Sequence, residues 1–389
     1  MKFLNCLFLI IGTAIGTGIL AVPVVNPQAG FYSTIMLIST TWLFMTIASF
    51  MLLRAVLAHK QGIDLINITR KKLGDFWQVV VGGSYLLLLY ALLAVYILVG
   101  SAWLDQWTGQ HLLLTDSQYQ MVFTLICASF IYLGVHFVGG VNQLLSAGVI
   151  ITLCIVITLG MGDIHNFNLL SNNSYNIQNT SSVIVTAFGF AVILPTLSSY
   201  TKRNHSILKK SLLIGSIIIL LLNILWVTVC FGVLGKDALT LISGSNSEGP
   251  EIILALQNTV KNPLIGVAAG YFAVFALFSS LIGVSLSLYH FIIDSFKLRK
   301  TKFCKINGIA LTFTVPLLTL LIQPSSFIAI LGFAGIFVSV VLGILPAMLE
   351  ININKKSTNT TDVIFRYLAY LTLLFFITVI IVEISKYFS

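Results

Sequence analysis

Apolar residues dominate this chain in long runs that short polar segments separate. Eleven runs reach about 20 residues, the length that an α-helix needs to cross the hydrocarbon core of a bilayer. We therefore predict an all-α integral membrane protein of eleven transmembrane helices, with a single membrane domain over 1–389. The predicted spans are 3–25, 30–57, 76–104, 119–138, 142–161, 180–200, 209–234, 264–296, 306–322, 327–349 and 364–384.

The first run contains residues that interrupt a helix. Gly12, Gly16, Gly18 and Pro23 all lie inside 3–25, and glycine and proline both weaken a continuous α-helix. Inside a membrane, non-helical backbone persists only where protein or a polar cavity satisfies its N–H and C=O groups. We therefore expect the first helix to break near its middle and to line a cavity at membrane depth.

The sixth run has a matching interruption, in which Phe188-Gly189-Phe190 is followed by Pro195. Because five runs separate the start of one broken helix from the start of the other, the two are predicted to run in opposite directions. Paired interrupted helices in corresponding positions of two inverted halves indicate the midplane substrate site of a secondary transporter. The alternative is that glycine and proline are simply frequent in membrane helices.

Basic residues are distributed unevenly between the predicted loops. If the N-terminus is cytoplasmic and the spans alternate, only Lys236, Lys261 and Lys386 lie outside, and the other eighteen of the 21 Lys and Arg residues are cytoplasmic. This asymmetry predicts a multi-pass inner-membrane protein with a cytoplasmic N-terminus and an external C-terminus. The net charge of +9 is then a topology signal beside an anionic lipid surface, so lipid rather than nucleic acid is the expected partner.

The first break offers unpaired backbone groups to a ligand. N–H groups at the start of its second half can hold a carboxylate, and carbonyls at the end of its first half can hold an ammonium group, so a zwitterionic amino acid fits both. The threonines there can instead bond back to their own helix, and nearby aromatic side chains can instead pack between helices. The predicted substrate-binding residues are Thr13, Ala14, Ile15, Gly16, Thr17, Gly18, Tyr90, Phe188, Gly189 and Phe190.

Acidic and basic side chains are missing from the middle of every predicted span. Arg54, Asp294 and Glu383 lie near the ends of runs, from where their side chains can extend toward the membrane interface. Ser279 and Ser280 are the candidate ion-coupling residues, because their hydroxyls and the carbonyls of the first helix are oxygen ligands of the kind that Na⁺ prefers. The alternative is that these serines pack between helices.

The remaining motifs argue against an enzyme. Residues 16–21 fit the dinucleotide fingerprint G-x-G-x-x-A, but that fingerprint requires a preceding strand and a following helix, whereas here both flanks are transmembrane. No cofactor or metal site is predicted, only a coupling ion, H⁺ or Na⁺. A membrane-embedded enzyme lacks converging ionisable groups in this sequence, and a channel needs a continuous polar path. Segment 250–261 is predicted to form a short amphipathic helix over the site.

At these motifs the chain resembles the hydroxy/aromatic amino acid permease family, in the branch of bacterial tyrosine and tryptophan permeases. The resemblance implies eleven spans and the five-plus-five inverted repeat of the amino acid–polyamine–organocation superfamily, with repeats at about 3–161 and 180–349 and an extra helix at about 364–384. It also implies import of an aromatic amino acid, tyrosine first and tryptophan or phenylalanine next, typically driven by protons. The resemblance is carried by 12–23, 89–96, 186–190, 199–200, 280–284 and 332–335.

The chain departs from this family at two places. Relatives often carry His-Gly after the Phe-Gly-Phe motif, where this chain has Ala191 and Val192. Some proton-coupled relatives place a lysine in the fifth span, which is uncharged here and carries Gln143, Ser146 and Gly148. The coupling ion therefore stays open. A permease of the same fold for serine, threonine or another neutral amino acid, with sodium as its driver, is the alternative function.

Overall fold

The computed structural model describes most of the chain, and every regular element in that part is helical. The described residues are 2–59, 65–108, 114–133, 135–165, 168–169, 181–243, 248–260, 262–295, 303–323, 326–353, 359–386 and 388. The helices are α1 Lys2–Ala14, α2 Thr17–Ala21, α3 Phe31–Ala58, α4 Leu65–Leu73, α5 Asp75–Thr108, α6 Asp116–Leu133, α7 Val135–Gly160, α8 Ser181–Thr186, α9 Leu194–Tyr200, α10 His205–Ser243, α11 Glu248–Thr259, α12 Pro263–Ser295, α13 Phe303–Ile322, α14 Phe327–Val338, α15 Leu345–Ile353 and α16 Thr360–Ser385.

Nine spans within the described residues are long and apolar enough to cross a membrane: Phe31–Ala58, Asp75–Thr108, Leu144–Asp163, Ser182–Tyr200, His205–Ser243, Leu264–Ile293, Lys305–Ile322, Phe327–Ile353 and Thr360–Ser385. The two other predicted spans are also helical. The first consists of the 13-residue α1 and the five-residue α2, and the fourth is the 18-residue α6. The all-α membrane fold is confirmed, whereas the count of eleven stays a prediction.

Small residues bring the helices around the first span into close contact. A Cβ atom added to Gly215 of α10 would lie 2.8 Å from Cγ2 of Ile10 on α1. A Cβ atom added to Gly148 of α7 would lie 2.6 Å from the ring of Phe275 on α12. Glycine at helix contacts lets backbones approach closely inside a membrane. The first span is thereby packed against α10, and α7 is packed against α12.

Polar residues at the ends of different helices contact one another, and these contacts agree with spans that alternate in direction. On the side where α1 begins, here called the N-terminal side, Arg54 at the end of α3 pairs with Glu350 of α15 and with Asp362 of α16. Lys305 at the start of α13 donates to the carbonyl oxygen of Tyr132 near the end of α6 at 2.7 Å. Each of these ends falls on one side if every predicted span crosses the membrane.

The charged residues at helix ends do not all behave as the sequence predicted. Arg54 is about a quarter exposed and is held by Glu350, which is itself buried. The prediction for Glu383 was wrong, because its side chain is only 5% exposed and lies between helices instead of extending to the interface. The close packing of α8 on α14 encloses it. The side chain of Asp294 lies outside the described residues.

The predicted amphipathic segment 250–261 is largely the helix α11. Its apolar face is fully buried and includes Ile252, Ile253 and Leu256. Gln257 donates through Nε2 to the carbonyl oxygen of Gly266 at 2.8 Å, which fixes α11 against the start of α12. Helix α11 also packs against α2, the second half of the broken first span.

Candidate functional site at the two broken helices

The first span is broken where the glycines predict it. Helix α1 ends at Ala14 and α2 begins at Thr17, and Gly16 between them has an extended backbone with φ −127° and ψ −161°. The N–H of Gly16 turns back to the carbonyl oxygen of Ala14 at 3.1 Å. The last carbonyls of α1 and the first N–H groups of α2 are therefore helix ends, for which an α-helix supplies no partners of its own.

The sixth span is broken in a different way. The N–H groups of Ala187 and Phe188 each bond three residues back, at 3.1 Å, to Ile184 and Val185. The chain then continues as a 3₁₀ turn, Gly189–Ile193, before α9 begins. The α-helical ladder is thus tightened over two turns, without an extended residue between the two halves.

The two broken spans lie side by side and run in opposite directions. At the N-terminal side, Asn5 of α1 donates through Nδ2 to the hydroxyl of Tyr200 at the end of α9, at 2.8 Å. Farther along, a Cβ atom on Gly18 would lie 3.4 Å from Oγ1 of Thr186 and 3.5 Å from Cα of Ala187. The start of α2 is therefore in contact with the end of α8, and the two breaks meet within the bundle.

A hydroxyl of α12 lies directly over the first break. A Cβ atom on Gly16 would be 2.5 Å from Oγ and 3.5 Å from Cβ of Ser280. Ser279, the other predicted ion-coupling residue, is buried and donates to the carbonyl oxygen of Ala276 on its own helix at 3.3 Å. The structure thus brings Ser280 to the break and turns the Ser279 hydroxyl back to its own helix.

A second hydroxyl residue approaches the first span from α7. A Cβ atom on Gly12, one turn before the break, would lie 3.5 Å from Cβ and 3.7 Å from Oγ of Ser146. The sequence marked Ser146 only as an uncharged residue of the fifth span. Its role as a neighbour of the first span depends on how α7 packs on α1, which no local sequence signal specifies.

The predicted substrate-binding residues around the breaks have three kinds of surroundings. Phe188 and Phe190 are completely buried, as is Ile15 at 1% exposure, so they can form an apolar wall or simple packing. Gly189 has no heavy atom within 4 Å of the position that a Cβ atom would take, so an open space lies beside the second break. Thr13 donates to the carbonyl oxygen of Leu9 at 2.6 Å, which is the alternative role that the sequence allowed.

Three other predicted residues have less direct relations to the breaks. Tyr90 of α5 donates its hydroxyl to the carbonyl oxygen of Leu311 on α13 at 3.2 Å, so this contact directs it toward the ninth span. The backbone of Thr17 begins α2, while its side chain lies outside the described residues. Ala14 is buried at the last turn of α1. As substrate contacts, all of these residues stay predictions.

A cavity of about 550 Å³ lies away from the breaks, at the N-terminal side. Apolar side chains and the ion pair of Arg54 and Glu350 line it. It lies between the end of α3, the start of α10, the end of α15 and the start of α16. The lining residues are Phe50, Leu53, Arg54, Leu57, Ala58, His205, Lys209, Glu350, Ile353, Thr361 and Phe365.

The chemistry available at the breaks is that of neutral oxygen atoms and backbone dipoles in an apolar surrounding. Helix ends at α1 and α2 supply carbonyl acceptors and N–H donors, and Ser280 supplies a hydroxyl. In a low-dielectric interior such groups interact strongly with charge. The arrangement can therefore bind a small zwitterion or a cation.

Comparison with known families agrees with this geometry. Residues 1–385 match the tryptophan/tyrosine permease family. The chain belongs to this family. It is accordingly a multi-pass membrane transport protein and not an enzyme, as the motifs around the two breaks predicted.

Several named relatives match the chain over most of its length. The tryptophan-specific transport protein of Haemophilus influenzae is 27% identical over 355 residues, covering 88% of this chain and 85% of the relative. The tyrosine-specific transport system 1 of the same organism is 28% identical over 361 residues, covering 92% and 90%. Glutamine transporter 2 of Aliivibrio fischeri is 26% identical over 367 residues, again covering 92% and 90%.

A solved structure shares the fold. Mhp1, a nucleobase-cation-symport-1 family transporter solved in a closed conformation with bromovinylhydantoin bound, superposes with a TM-score of 0.61 over 98% of this chain and 92% of its own. The sequence identity is 13%, so the likeness concerns the fold alone. The fold class predicted from the sequence, a transporter of membrane helices, is confirmed.

Proposed function

We propose that this protein is a secondary active transporter that imports an aromatic amino acid, tyrosine first and tryptophan or phenylalanine next. The observation that carries the proposal is the contact between the two broken spans, where Gly18 lies against Thr186 and Ala187. Interrupted helices that meet inside a bundle are where secondary transporters bind substrate. Two relatives named for tryptophan and tyrosine support the aromatic class.

The breaks can hold the two charges of an amino acid separately. The N–H groups of Thr17 and Gly18 begin α2 and face no carbonyl of an earlier helical turn, so they suit the substrate carboxylate. The last carbonyls of α1, next to Ala14, suit its ammonium group. Gly189 lies between Phe188 and Phe190 in the chain and has an open space beside it, and we assign the aromatic ring to that space.

Substrate movement is coupled to a cation gradient in this proposal. The family resemblance favours protons, whereas the geometry around Gly16 supplies ligands that also suit Na⁺. These ligands are the Ser280 hydroxyl and the carbonyls that end α1, and a hard cation prefers oxygen atoms. A cation and a substrate that both bind the first break can then favour the same conformation, which is the thermodynamic basis of coupled transport.

The proposed topology places the N-terminus in the cytoplasm and the C-terminus outside the inner membrane. Eleven spans form two inverted halves, about 3–161 and 180–349, and 364–384 is an additional helix. Pairing of Arg54 with Asp362 and of Lys305 with Tyr132 supports this alternation. The positive-inside asymmetry then makes the N-terminal side the cytoplasmic side.

The second candidate function is transport of another neutral amino acid on the same scaffold. Glutamine transporter 2 matches the chain as completely as the tyrosine relative does. Serine and threonine belong to the same group of candidates. These substrates share the zwitterionic head, which the helix ends of the first break would bind in every case. They differ only in the side chain, which would occupy the space beside Gly189.

Uptake by the purified protein in liposomes tests both candidates. Labelled tyrosine is supplied outside, and a pH gradient and a sodium gradient are imposed separately. We expect saturable accumulation that one of the two gradients drives, and competition by unlabelled tryptophan and phenylalanine. Competition by glutamine, serine or threonine alone identifies the second candidate. Conduction that does not saturate and does not accumulate substrate identifies a channel and overturns the proposal.

A further inference from the structure

A buried carboxylate lies where the sixth span begins. Glu383 is 4% exposed, although it lies in the last turn of α16, two residues before the helix ends at Ser385. Its Oε2 accepts a hydrogen bond from Ser182 Oγ at 2.5 Å and from Lys386 Nζ at 2.7 Å. Ser182 belongs to α8, the first half of the broken sixth span. A charged group is rarely buried unless it is paired in this way.

Two glycines of α14 make room for this contact. A Cβ atom on Gly335 would collide with the backbone carbonyl of Ser182, and one on Gly332 would collide with Oε1 of Glu383. Helix α14 therefore receives α8 and the carboxylate on one small-residue face, which lets the three helices approach closely. Ser182 is completely buried there. The bond from Ser182 to Glu383 is thus shielded from solvent by all three helices.

The position of this contact connects it to the site. Helix α8 has six residues, from Ser181 to Thr186, so the Glu383 contact and the second break are at opposite ends of one short rod. Thr186 at its other end lies beside Gly18 of the first break. A motion of α8 relative to α14 therefore also moves the second break. The Glu383 carboxylate holds the opposite end of α8, the end at Ser182.

We propose that Glu383 is a positioning residue for transport, and that its bond to Ser182 holds the outer half of the broken sixth span against α14 and α16. Alternating access moves one part of such a fold against another around the substrate site. The Ser182–Glu383 bond stabilises the arrangement in which α8 lies on α14 and must break when α8 leaves it. This gives the C-terminal helix, which lies outside both halves, a part in the transport cycle. Only the expected effect of Glu383 on uptake rests on the proposed function; its attachment of α8 does not.

The test uses full-length protein in liposomes and a readout that needs no substrate. Val183 is 1% exposed, so Val183→Cys in an otherwise cysteine-free chain reports when α8 leaves its packed position. The variants are Glu383→Gln, which keeps the shape and removes the charge, Ser182→Ala, which removes the donor, and both together. Matched controls are Glu251→Gln on α11 and Ser385→Ala, whose hydroxyl bonds to Val382 of its own helix.

We expect a membrane-impermeant maleimide to label Val183→Cys faster by about ten-fold in each single variant, since a hydrogen bond to a charged group stabilises a state by about that factor or more. The effect of the double variant is expected to fall short of the two single effects combined, because both changes weaken the same contact. The maximal uptake rate and KM are expected to change by different factors. The controls are expected to label at the parental rate, and all variants to elute as folded protein.

Two results overturn the proposal: labelling of Glu383→Gln and Ser182→Ala at the parental rate, or independent effects that add in the double variant. A parent that takes up no amino acid overturns the proposed function instead, and the labelling rates still decide whether Glu383 holds α8. If Glu383→Gln does not fold, Ser182→Ala alone decides, because it removes one hydroxyl and leaves the ion pair with Lys386.

Discussion

The two breaks at the centre of this molecule are held in opposite ways. At the first break, the backbone is extended at Gly16 and the Ser280 hydroxyl occupies the space where a side chain would begin. At the second break, the chain stays in a 3₁₀ turn and the space beside Gly189 is open. Both segments contain glycine next to a kink. In the first, glycine leaves room for the close Ser280 hydroxyl, and in the second it leaves an open space beside the chain.

The largest expected effect is that of a bulky side chain at the first break. Gly16→Leu is expected to abolish uptake, because the side chain cannot fit beneath Ser280 without moving α1 or α12 apart. Size-exclusion chromatography and liposome flotation establish that the variant still inserts and folds. Normal uptake by a correctly inserted Gly16→Leu protein excludes the first break as the site.

Removing the hydroxyl over the first break should affect the ion more than the substrate. If Na⁺ is the driver, Ser280→Ala is expected to raise the half-saturating Na⁺ concentration by about ten-fold, since one ligand to a charge is lost. Ser279→Ala is the matched control, because its hydroxyl bonds to Ala276 of its own helix. A larger effect of Ser279→Ala than of Ser280→Ala contradicts this assignment.

Gly16→Ala tests whether the space at Gly16 and the Ser280 hydroxyl act together. Its Cβ atom displaces the Ser280 hydroxyl but tolerates the Cβ atom of Ser280 at 3.5 Å. The variant is therefore expected to reproduce the ion dependence of Ser280→Ala, and the double variant to be no worse than either. A double variant that loses activity further shows that Gly16 acts through another neighbour.

The second break should respond to a small substitution only through the substrate. Gly189→Ala meets no protein atom within 4 Å, so thermal stability is expected to be unchanged. If the aromatic ring occupies that space, KM rises about three- to ten-fold, as overpacking by one methyl group predicts. Gly83→Ala on α5 also meets no atom within 4 Å and is the control. Equal KM values for both variants place the ring elsewhere.

The smallest effect is expected one turn before the first break. Gly12→Ala puts a Cβ atom 3.5 Å from Cβ of Ser146, which is ordinary contact. The free energy of unfolding is therefore expected to change by less than about 0.5 kcal/mol, and the uptake rate is expected to stay close to the parental rate. Uptake and urea denaturation measure the two quantities. A loss as large as that of Gly16→Leu indicates that the whole first span, and not the break, is intolerant of side chains.

The sequence was sufficient to predict the breaks because their cause is local. Glycine and proline weaken a helix whatever surrounds it, so the positions near Gly16 and Gly189 could be identified without a fold. The amphipathic segment that became α11 was predictable for the same reason, since its periodicity lies within one stretch of chain.

The remaining features depend on contacts between distant residues. Adjacent residues on a helix point about 100° apart, so only the packing of α12 against α1 distinguishes Ser280 from Ser279. Glu383 was misjudged for a similar reason, because a position near the end of a run normally gives access to the interface. The glycines of α14, fifty residues earlier in the chain, decide instead that it is enclosed.

The tenth span contains one further irregularity, a widened turn of π-helix at Ser339–Ile344 that separates α14 from α15. An inserted π turn changes the rotational phase of everything that follows it, so the two halves of one rod can present unrelated faces. One half offers its glycines to α8, while the other directs Glu350 toward Arg54. The tenth span is therefore attached at two separate places, through the glycines of α14 to α8 and through Glu350 of α15 to Arg54 of α3.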